Sequence, residues 1–457
     1  MNKTIIWLRN DLRLADNPAL DDAYKNNYQI LFLYIDDPEV KIGSAKKWFL
    51  YQALQAFQQD VQAKYRAKLV IKSGKPQEIL AKLINKYQIN NLFWNRIYEP
   101  KIIDRDSEIK EYFIKQNLLV KTFNSSLLFE PWQIKNLQGS YFKVFTPFWK
   151  KCFNLLNQVS NPCQIPVNLA LVNIIEGESL ALSHLNLLPK NPNWAAKWSN
   201  IYKVSEEDAH NIADDFIKNK LNNYKIARDF PAINKTSILS PYINLGLISA
   251  KQIYYKTIFY AEDQNTQHFL SEIGWREFSY HLLYHFPNLA DDNFKIKFNN
   301  FPWENNQELL KKWQEGQTGF PLIDAGMRQL YQTGWMHNRV RMVVASFLTK
   351  NLLIDWRLGA KWFDDCLVDA NLAANSASWQ WVAGSGCDAA PYFRIFNPIT
   401  QSQKFDSQGS YIRKWVPELV NYSDKEIHDP NNRDGYPEQI TDLKASRNKA
   451  LQIYKEL

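Results

Sequence analysis

Apolar residues recur along the chain in two rhythms, and the change from one to the other divides it. Early on, short β-branched and aromatic runs read as buried strands: Ile5-Ile6-Trp7-Leu8, Ile30-Leu31-Phe32-Leu33-Tyr34, Leu69-Val70-Ile71 and Leu92-Phe93-Trp94. Between them Trp48, Tyr51, Leu54, Phe57 and Val61 fall on one face of a helix. Strands alternating with helices at this spacing predict an α/β domain, Rossmann-like, with a doubly wound parallel sheet, over residues 1–130. No GxGxxG follows the first strand, which argues against an ordinary dinucleotide site there. The pattern loosens from about residue 124, with loop punctuation at Asn161-Pro162 and Asn191-Pro192, and residues 131–199 read as an inter-domain connection. Ala209, Ile212, Ala213, Phe216, Ile217 and Leu221 then mark a helical face, and no convincing strand follows. Residues 200–457 are therefore expected to be all-α, with no internal repeat and no low-complexity tract.

Length and composition narrow this picture. A chain of 457 residues is too long for one ordinary core, which agrees with two domains. The formal charge of +8 suits either solubility or a phosphate-binding face. Cys152, Cys163, Cys366 and Cys387 form no CxxC pair and have no metal-ligand spacing, so zinc and iron–sulfur sites are not expected and a reduced, cytoplasmic setting fits. The start, Met1-Asn2-Lys3-Thr4, lacks a signal-peptide pattern, and Lys350 and Asp355 interrupt the longest apolar run, so no membrane association is expected.

The stretch from Trp335 to Pro398 changes the question from fold to chemistry. It carries Trp335-Met336-His337-Asn338-Arg339-Val340-Arg341-Met342, Asp369-Ala370-Asn371-Leu372-Ala373-Ala374-Asn375, Trp379-Gln380-Trp381 and Tyr392-Phe393-Arg394-Ile395-Phe396-Asn397-Pro398 inside otherwise apolar helical sequence. Large polar groups left without partners in a core cost several kcal/mol each, so something polar and flat is expected among them. Asn338, Arg341 and Met342 share one helical face, where Arg341 also suits a carboxylate that would stitch two helices together. Glu272, Trp275 and Arg276 share another, and a surface salt bridge is the plain alternative there. Tyr224 and the run Thr236-Ser237-Ile238-Leu239-Ser240 offer hydroxyls and backbone N–H groups that suit a pyrophosphate or simply a helix cap. Trp303, Trp356 and Trp379 read equally as aromatic core. His281 and His285 are four apart, yet no HExxH is completed and no metal is expected.

These motifs, with Trp275-Arg276-Glu277-Phe278, Tyr224-Lys225-Ile226-Ala227-Arg228-Asp229-Phe230-Pro231 and Trp7-Leu8-Arg9-Asn10-Asp11-Leu12-Arg13, closely resemble the DNA photolyase and cryptochrome family over nearly the whole chain, class I members most of all. The resemblance implies an antenna-binding N-terminal domain and a C-terminal domain that binds FAD and DNA. It implies light-driven repair of cyclobutane pyrimidine dimers in DNA, by electron transfer from excited reduced FAD to a flipped-out dimer, in a protein expected to be monomeric. Arg341 and Asp369 correspond to the ion pair beside the reactive flavin edge and Asn375 to the amide facing flavin N5; Tyr224, Thr236, Ser237, Ile238, Leu239, Ser240, Arg276, Asn338 and Asn371 complete the expected cofactor contacts. Glu272 corresponds to the glutamate that hydrogen-bonds the thymine carbonyls, with Asn338 and Met342 beside it and Trp275 and Trp381 as apolar walls; such an enclosure favours a protonated, donating carboxyl. Arg228, Arg339, Arg394 and Gln401 join Glu272, Trp275 and Asn338 as expected DNA contacts, and Trp303, Trp356 and Trp379 correspond to the electron relay.

Two positions depart from the family pattern: Asn371 stands where many members carry aspartate, and Phe269 where a tryptophan is frequent. The antenna, a reduced folate or a deazaflavin, is left without assigned residues: Asn95-Arg96-Ile97-Tyr98-Glu99-Pro100 lies where folate contacts are sometimes made, but the residues after Glu99 do not match the folate pattern. A (6-4) photoproduct enzyme would carry histidines where this chain has Asn338 and Met342. A cryptochrome-type sensor is the other rival; plant members place aspartate at the Asn375 position and often carry long tails, whereas this chain stops at Leu457.

Overall fold

The computed structural model describes residues 1–389, 393–431, 433 and 435–457. Tyr392 of the Tyr392–Pro398 motif lies outside the described residues. Five parallel strands, β1 (Lys3–Leu8), β2 (Gln29–Asp36), β3 (Leu69–Ser73), β4 (Asn91–Asn95) and β5 (Leu119–Phe123), lie in the order β3-β2-β1-β4-β5. Ile5 is level with Leu31 on one side and Leu92 on the other. Alternation of side chains then feeds two layers. Ile5, Trp7, Leu33 and Trp94 meet Leu80 and Leu83 of the helix Pro76–Tyr87 and Phe113 of the helix Pro100–Ile114. Ile6, Leu8, Phe32 and Phe93 meet Phe49, Leu54 and Phe57 of the helix Ser44–Tyr65 and Leu20 of the helix Pro18–Lys25. That two-faced burial is the expected doubly wound sheet. The sequence reading missed β5, because an edge strand buries little and Leu119 is exposed while Lys121 and Thr122 are half-buried.

The stretch read as a loose connection does more than connect. It contains the helix Phe145–Phe153, and its later part lies along the sheet domain: Ile30 N donates to Ala170 O at 2.8 Å and Val172 N to Ile30 O at 3.0 Å. Beyond it the described residues form helices and no strand. The two parts share one core. Trp48 stands edge-on to Trp198 at 5.4 Å, and Phe49 meets Tyr242 at 5.2 Å. The motif Trp7–Arg13 is the strut between them. Leu12 N donates to Leu245 O, Arg13 donates to Gly246 O at 2.9 Å, and Leu14 N and Ala15 N donate to the Glu206 carboxylate. Gly246 sits at φ +67°, with a Cβ position only 2.2 Å from Asn10 O, so the close approach of the two domains requires glycine there.

Candidate functional site

Three helices converge on an open cavity of about 560 Å³ in the C-terminal part. Gln264–His285 starts at Asp263, whose carboxylate accepts from Thr266 N at 2.8 Å, and presents Glu272, Trp275 and Arg276. Asn338–Ser346 starts at His337, whose ring nitrogen accepts from Arg339 N at 3.2 Å, and presents Asn338, Arg341 and Met342. Leu372–Ala383 is capped by Asn371 and presents Asn375, Trp379 and Trp381. Tyr224, Ser237, Leu239 and Ser240 close one end, beside Phe269, whose ring lies 5.4 Å from that of Tyr224.

Asp369 is the hub of the polar side. Its carboxylate takes Arg341 Nη2 at 3.0 and 3.2 Å and Ser240 Oγ at 2.6 Å, while Arg341 Nε donates to Met336 O. Arg341 thus ties its helix to the turn between Trp356–Cys366 and Leu372–Ala383 while lining the cavity. Asn375 is oriented by donating to Ala360 O at 2.9 Å. Trp379 lines the cavity and lies on the backbone of Gly359, one turn into the helix that begins at Trp356; a Cβ on Gly359 would stand 2.2 Å from the indole. Trp356 is fully buried and donates to Asn293 Oδ1 at 3.0 Å. Trp303 is partly buried against Phe301, ring centroids 4.3 Å apart.

Several expected assignments change. Thr236 and Ile238 do not line the cavity; Ile238 lies at φ +54°, a turn that alternates the run away from and toward the opening. Arg276 lines the cavity but is occupied with Ser126 O, Glu277 and the ring of Tyr280. Asn371 has its side chain committed as well: Oδ1 caps Ala374 N, and Nδ2 donates to Tyr280 Oη at 2.6 Å and Asn244 Oδ1 at 3.2 Å. An aspartate could cap but could not supply those donations, which accounts locally for the departure from the family pattern. Glu272 is not a carboxyl enclosed by apolar walls; it forms an ion pair with Arg228, and its side chain is 30% exposed at the cavity mouth. Arg228 lines the cavity beside His268 and over the ring of Tyr224, with most of its side chain buried. Arg339 pairs with Asp229 at 2.8 Å over the ring of Phe405. Arg394 is exposed, and Gln401 lies in the first turn of Pro398–Phe405 with its amide oxygen buried, outside the cavity lining.

Some participants carried no local signal. Gly386, Cys387 and Asp388 line the cavity just beyond Leu372–Ala383, and burial pushes the Cys387 thiol up to about 12. Glu277, on the cavity helix Gln264–His285 but buried outside the cavity lining, accepts from Leu128 N and Phe129 N and is raised to about 7 by that burial, with Arg276 opposing. Lys350 donates to Arg394 O over the Phe393 ring and is lowered to about 7, by burial first and Arg394 second. His281 accepts from Phe142 N at 3.1 Å, and burial holds it at about 4, a neutral structural histidine. Among the described residues no cluster of His, Cys, Asp and Glu is placed to hold a metal, and no helix is long and apolar enough to cross a membrane. Asn95, Arg96 and Tyr98 line a narrow domain-junction cleft; Asn95 Nδ2, the Arg96 Nη groups and the Tyr98 hydroxyl are engaged with Asp11, Asn17, Thr122 and Glu130, while Asn95 Oδ1 and Arg96 Nε are buried without a partner, and no antenna ligands are assigned.

The donor set suits a group with both a flat apolar portion and anionic or carbonyl edges. Ser237, Ser240, Arg341 and Asn375 supply polar groups to the lining, and Ile273, Leu282, Phe363 and Trp379 supply apolar surface. FAD fits that description.

Comparison with known proteins agrees. The sequence pattern of DNA photolyase matches residues 4–166, and that of the FAD binding domain of DNA photolyase matches residues 269–456. The deoxyribodipyrimidine photo-lyase of Agrobacterium fabrum (strain C58 / ATCC 33970) is 41% identical over 98% of this chain and 97% of its own length. Cryptochrome-2 of Arabidopsis thaliana is 34% identical over 97% of this chain and 74% of its own length. Among solved structures, a bacterial class III photolyase from Agrobacterium tumefaciens has a TM-score of 0.95 at 40% identity, covering 100% of this chain and 98% of that one. The sequence reading set the chain beside class I members and this structural match is to class III, so the common ground is the family and not its class. With the sheet, the helical cavity and both family patterns in agreement, the chain belongs to the DNA photolyase family and carries that family's FAD-binding domain.

Proposed function

We propose that this protein repairs cyclobutane pyrimidine dimers in DNA under near-ultraviolet or blue light, with FAD in the C-terminal cavity. The observation that carries the reading is one cavity lined both by the Arg341–Asp369 pair and Asn375 and by Trp275, Trp381, Glu272, Asn338 and Met342. A cofactor site and a mouth of suitable chemistry for a flipped pyrimidine pair are thereby contiguous. When bound, reduced FAD supplies the photoexcited electron that splits the dimer.

The chain's own residues bind and orient. Ser237, Ser240 and Tyr224 offer hydroxyls at one end of the cavity, and Arg341, held by Asp369, offers a fixed cation to a polar cofactor edge. Trp275 and Trp381 exclude water and present flat apolar surface to bases that have left the stack. Glu272 accepts from Arg228 and holds that guanidinium at the mouth, where its N–H groups are the donors available to pyrimidine carbonyls; carboxyl donation by Glu272 itself would first have to open the pair. DNA containing such dimers is the proposed partner. A second reading, a light sensor, is favoured by the similarity to Cryptochrome-2 of Arabidopsis thaliana, and Asn375 at the cavity wall weighs against a plant-type sensor. One assay separates them: purified protein with reduced FAD is mixed with ultraviolet-irradiated oligo(dT) and lit with blue light. Recovery of thymine absorbance is the expected result; no recovery, with flavin bound and reduced, would sink the repair reading.

A further inference from the structure

Phe145 does not touch the cavity, yet its ring lies flat on Trp275 with centroids 3.7 Å apart and planes 10° from parallel, the closest ring pair among the described residues. Unconstrained aromatic pairs prefer offset or edge-on contact with centroids farther apart, so a pair this close is held by its surroundings. The ties are visible. Phe145 N donates to Asp388 Oδ2 at 3.0 Å, and two residues earlier Lys143 O accepts from Cys387 Sγ at 2.9 Å. Both partners line the cavity just beyond the helix that carries Trp381. One turn into the helix Phe145–Phe153, Trp149 lies directly on Gly274, where a Cβ would stand 2.4 Å from the indole, and Phe148 meets Phe278 at 5.1 Å. Phe278 in turn closes the edge of Trp275 at 6.0 Å. One face of Trp275 is therefore covered by Phe145, and Phe278 packs nearly perpendicular to it.

We propose that Phe145 is a positioning residue that sets selectivity for damaged DNA, by bracing Trp275 from behind and tying it, through the segment 143–145, to the loop that follows Trp381. This rests on the reading of Trp275 as a wall of the lesion pocket. The physical ground is preorganisation. A wall already fixed stacks on a flipped base without losing freedom, whereas an unbraced indole must be immobilised at each binding event, a loss worth roughly two- to tenfold in affinity. Undamaged DNA, whose bases stay stacked, does not reach Trp275 and should be indifferent to the brace.

The test uses the flavin-loaded protein in the dark, with dissociation constants measured for dimer-containing and undamaged duplexes. Phe145→Leu should weaken binding to the damaged duplex roughly two- to tenfold and leave the undamaged one within about twofold, while Phe145→Tyr, which keeps a flat ring, should stay near wild type. Phe145→Met, which fills similar volume without a plane, is measured in parallel and should behave like Phe145→Leu if the leucine variant folds poorly. Combined with Trp275→Ala, Phe145→Leu should add no further loss, since its effect passes through that ring. Equal weakening on both DNAs, unchanged binding to the damaged duplex, or losses that add fully to Trp275→Ala would overturn the proposal. A wild-type protein that fails to prefer damaged DNA removes the repair reading and this inference together; a discriminating wild type with indifferent Phe145 variants removes this inference alone.

Discussion

At the mouth of the cavity Glu272 and Arg228 hold each other as a partly buried ion pair, while the cofactor side of the cavity is held by other residues. Glu272→Ala should therefore retain flavin, because Asp369, Arg341 and Ser240 are untouched, yet bind a dimer-containing duplex about tenfold more weakly, the size of one charge-assisted hydrogen bond. Glu272→Gln keeps an acceptor and a donor and should lose less. Gel-shift titration beside a flavin absorbance spectrum checks both; equal affinities for wild type and Glu272→Ala would move Glu272 out of the lesion pocket. The residue was legible in the sequence as a glutamate on an apolar helical face. Its partner was not: Arg228 lies 44 positions away, and periodicity reports which side of a helix is buried without reporting what covers it. The same gap explains Asn371, whose amide reads as a cofactor contact until Tyr280 and Asn244 are seen to occupy it.

Helices Trp356–Cys366 and Leu372–Ala383 pack through Gly359, where the ring of Trp379 meets backbone; Trp356 and Trp379 share one buried cluster, and Trp379 reaches the cavity. Trp356→Phe is expected to slow photoreduction of oxidised FAD, read by transient absorption, and to leave repair by chemically reduced protein nearly intact. Normal photoreduction in the variant would return Trp356 to the role of core aromatic. The loop that leads into Pro398–Phe405 makes a different case. Arg394 is exposed there and stands over the ring of Phe396, whereas Arg339 is half-buried against Asp229 and the face of Phe405. Arg394→Ala should flatten the log–log dependence of DNA affinity on salt by about 0.9, and Arg339→Ala by clearly less, in titrations at several salt concentrations. An equal change for both would mean that phosphate displaces Asp229 from Arg339. Elements with strong periods, such as β1, β2 and Ser44–Tyr65, could be read from the chain; β5 could not, since an edge strand's weak burial leaves no apolar run.

For the molecule as a whole, burial fixes protonation states that are far from one another in sequence. His210, His281 and His337 are each held at about 4, with burial the main cause, against an ordinary value of about 6.5. The unfolded chain thus binds more protons between these values, so this contribution is fully present above about 6.5 and is lost as pH falls toward 4. Glu277, raised to about 7 by burial, works the other way: its contribution is present at low pH and is lost as pH rises through 7. Removing the opposing carboxyl in Glu277→Gln should therefore make the melting temperature rise more steeply from about pH 4.5 to 6.5 than it does in wild type; scanning fluorimetry of the two proteins across that range checks it, and parallel profiles would mean that the Glu277 carboxyl contributes no pH dependence to folding. By itself the sequence determined the two rhythms of burial, hence a parallel sheet followed by helices, and a set of motifs specific enough to place the chain in a family. Those features are local, carried by spacings within a strand or a helix. Only the tertiary structure decided which polar groups remain available. Arg228 with Glu272, Arg339 with Asp229 and Phe145 with Asp388 meet across 44, 110 and 243 positions. No local pattern encodes such meetings, because they arise when separate helices close on one another and every buried polar group must find whichever partner is then within reach.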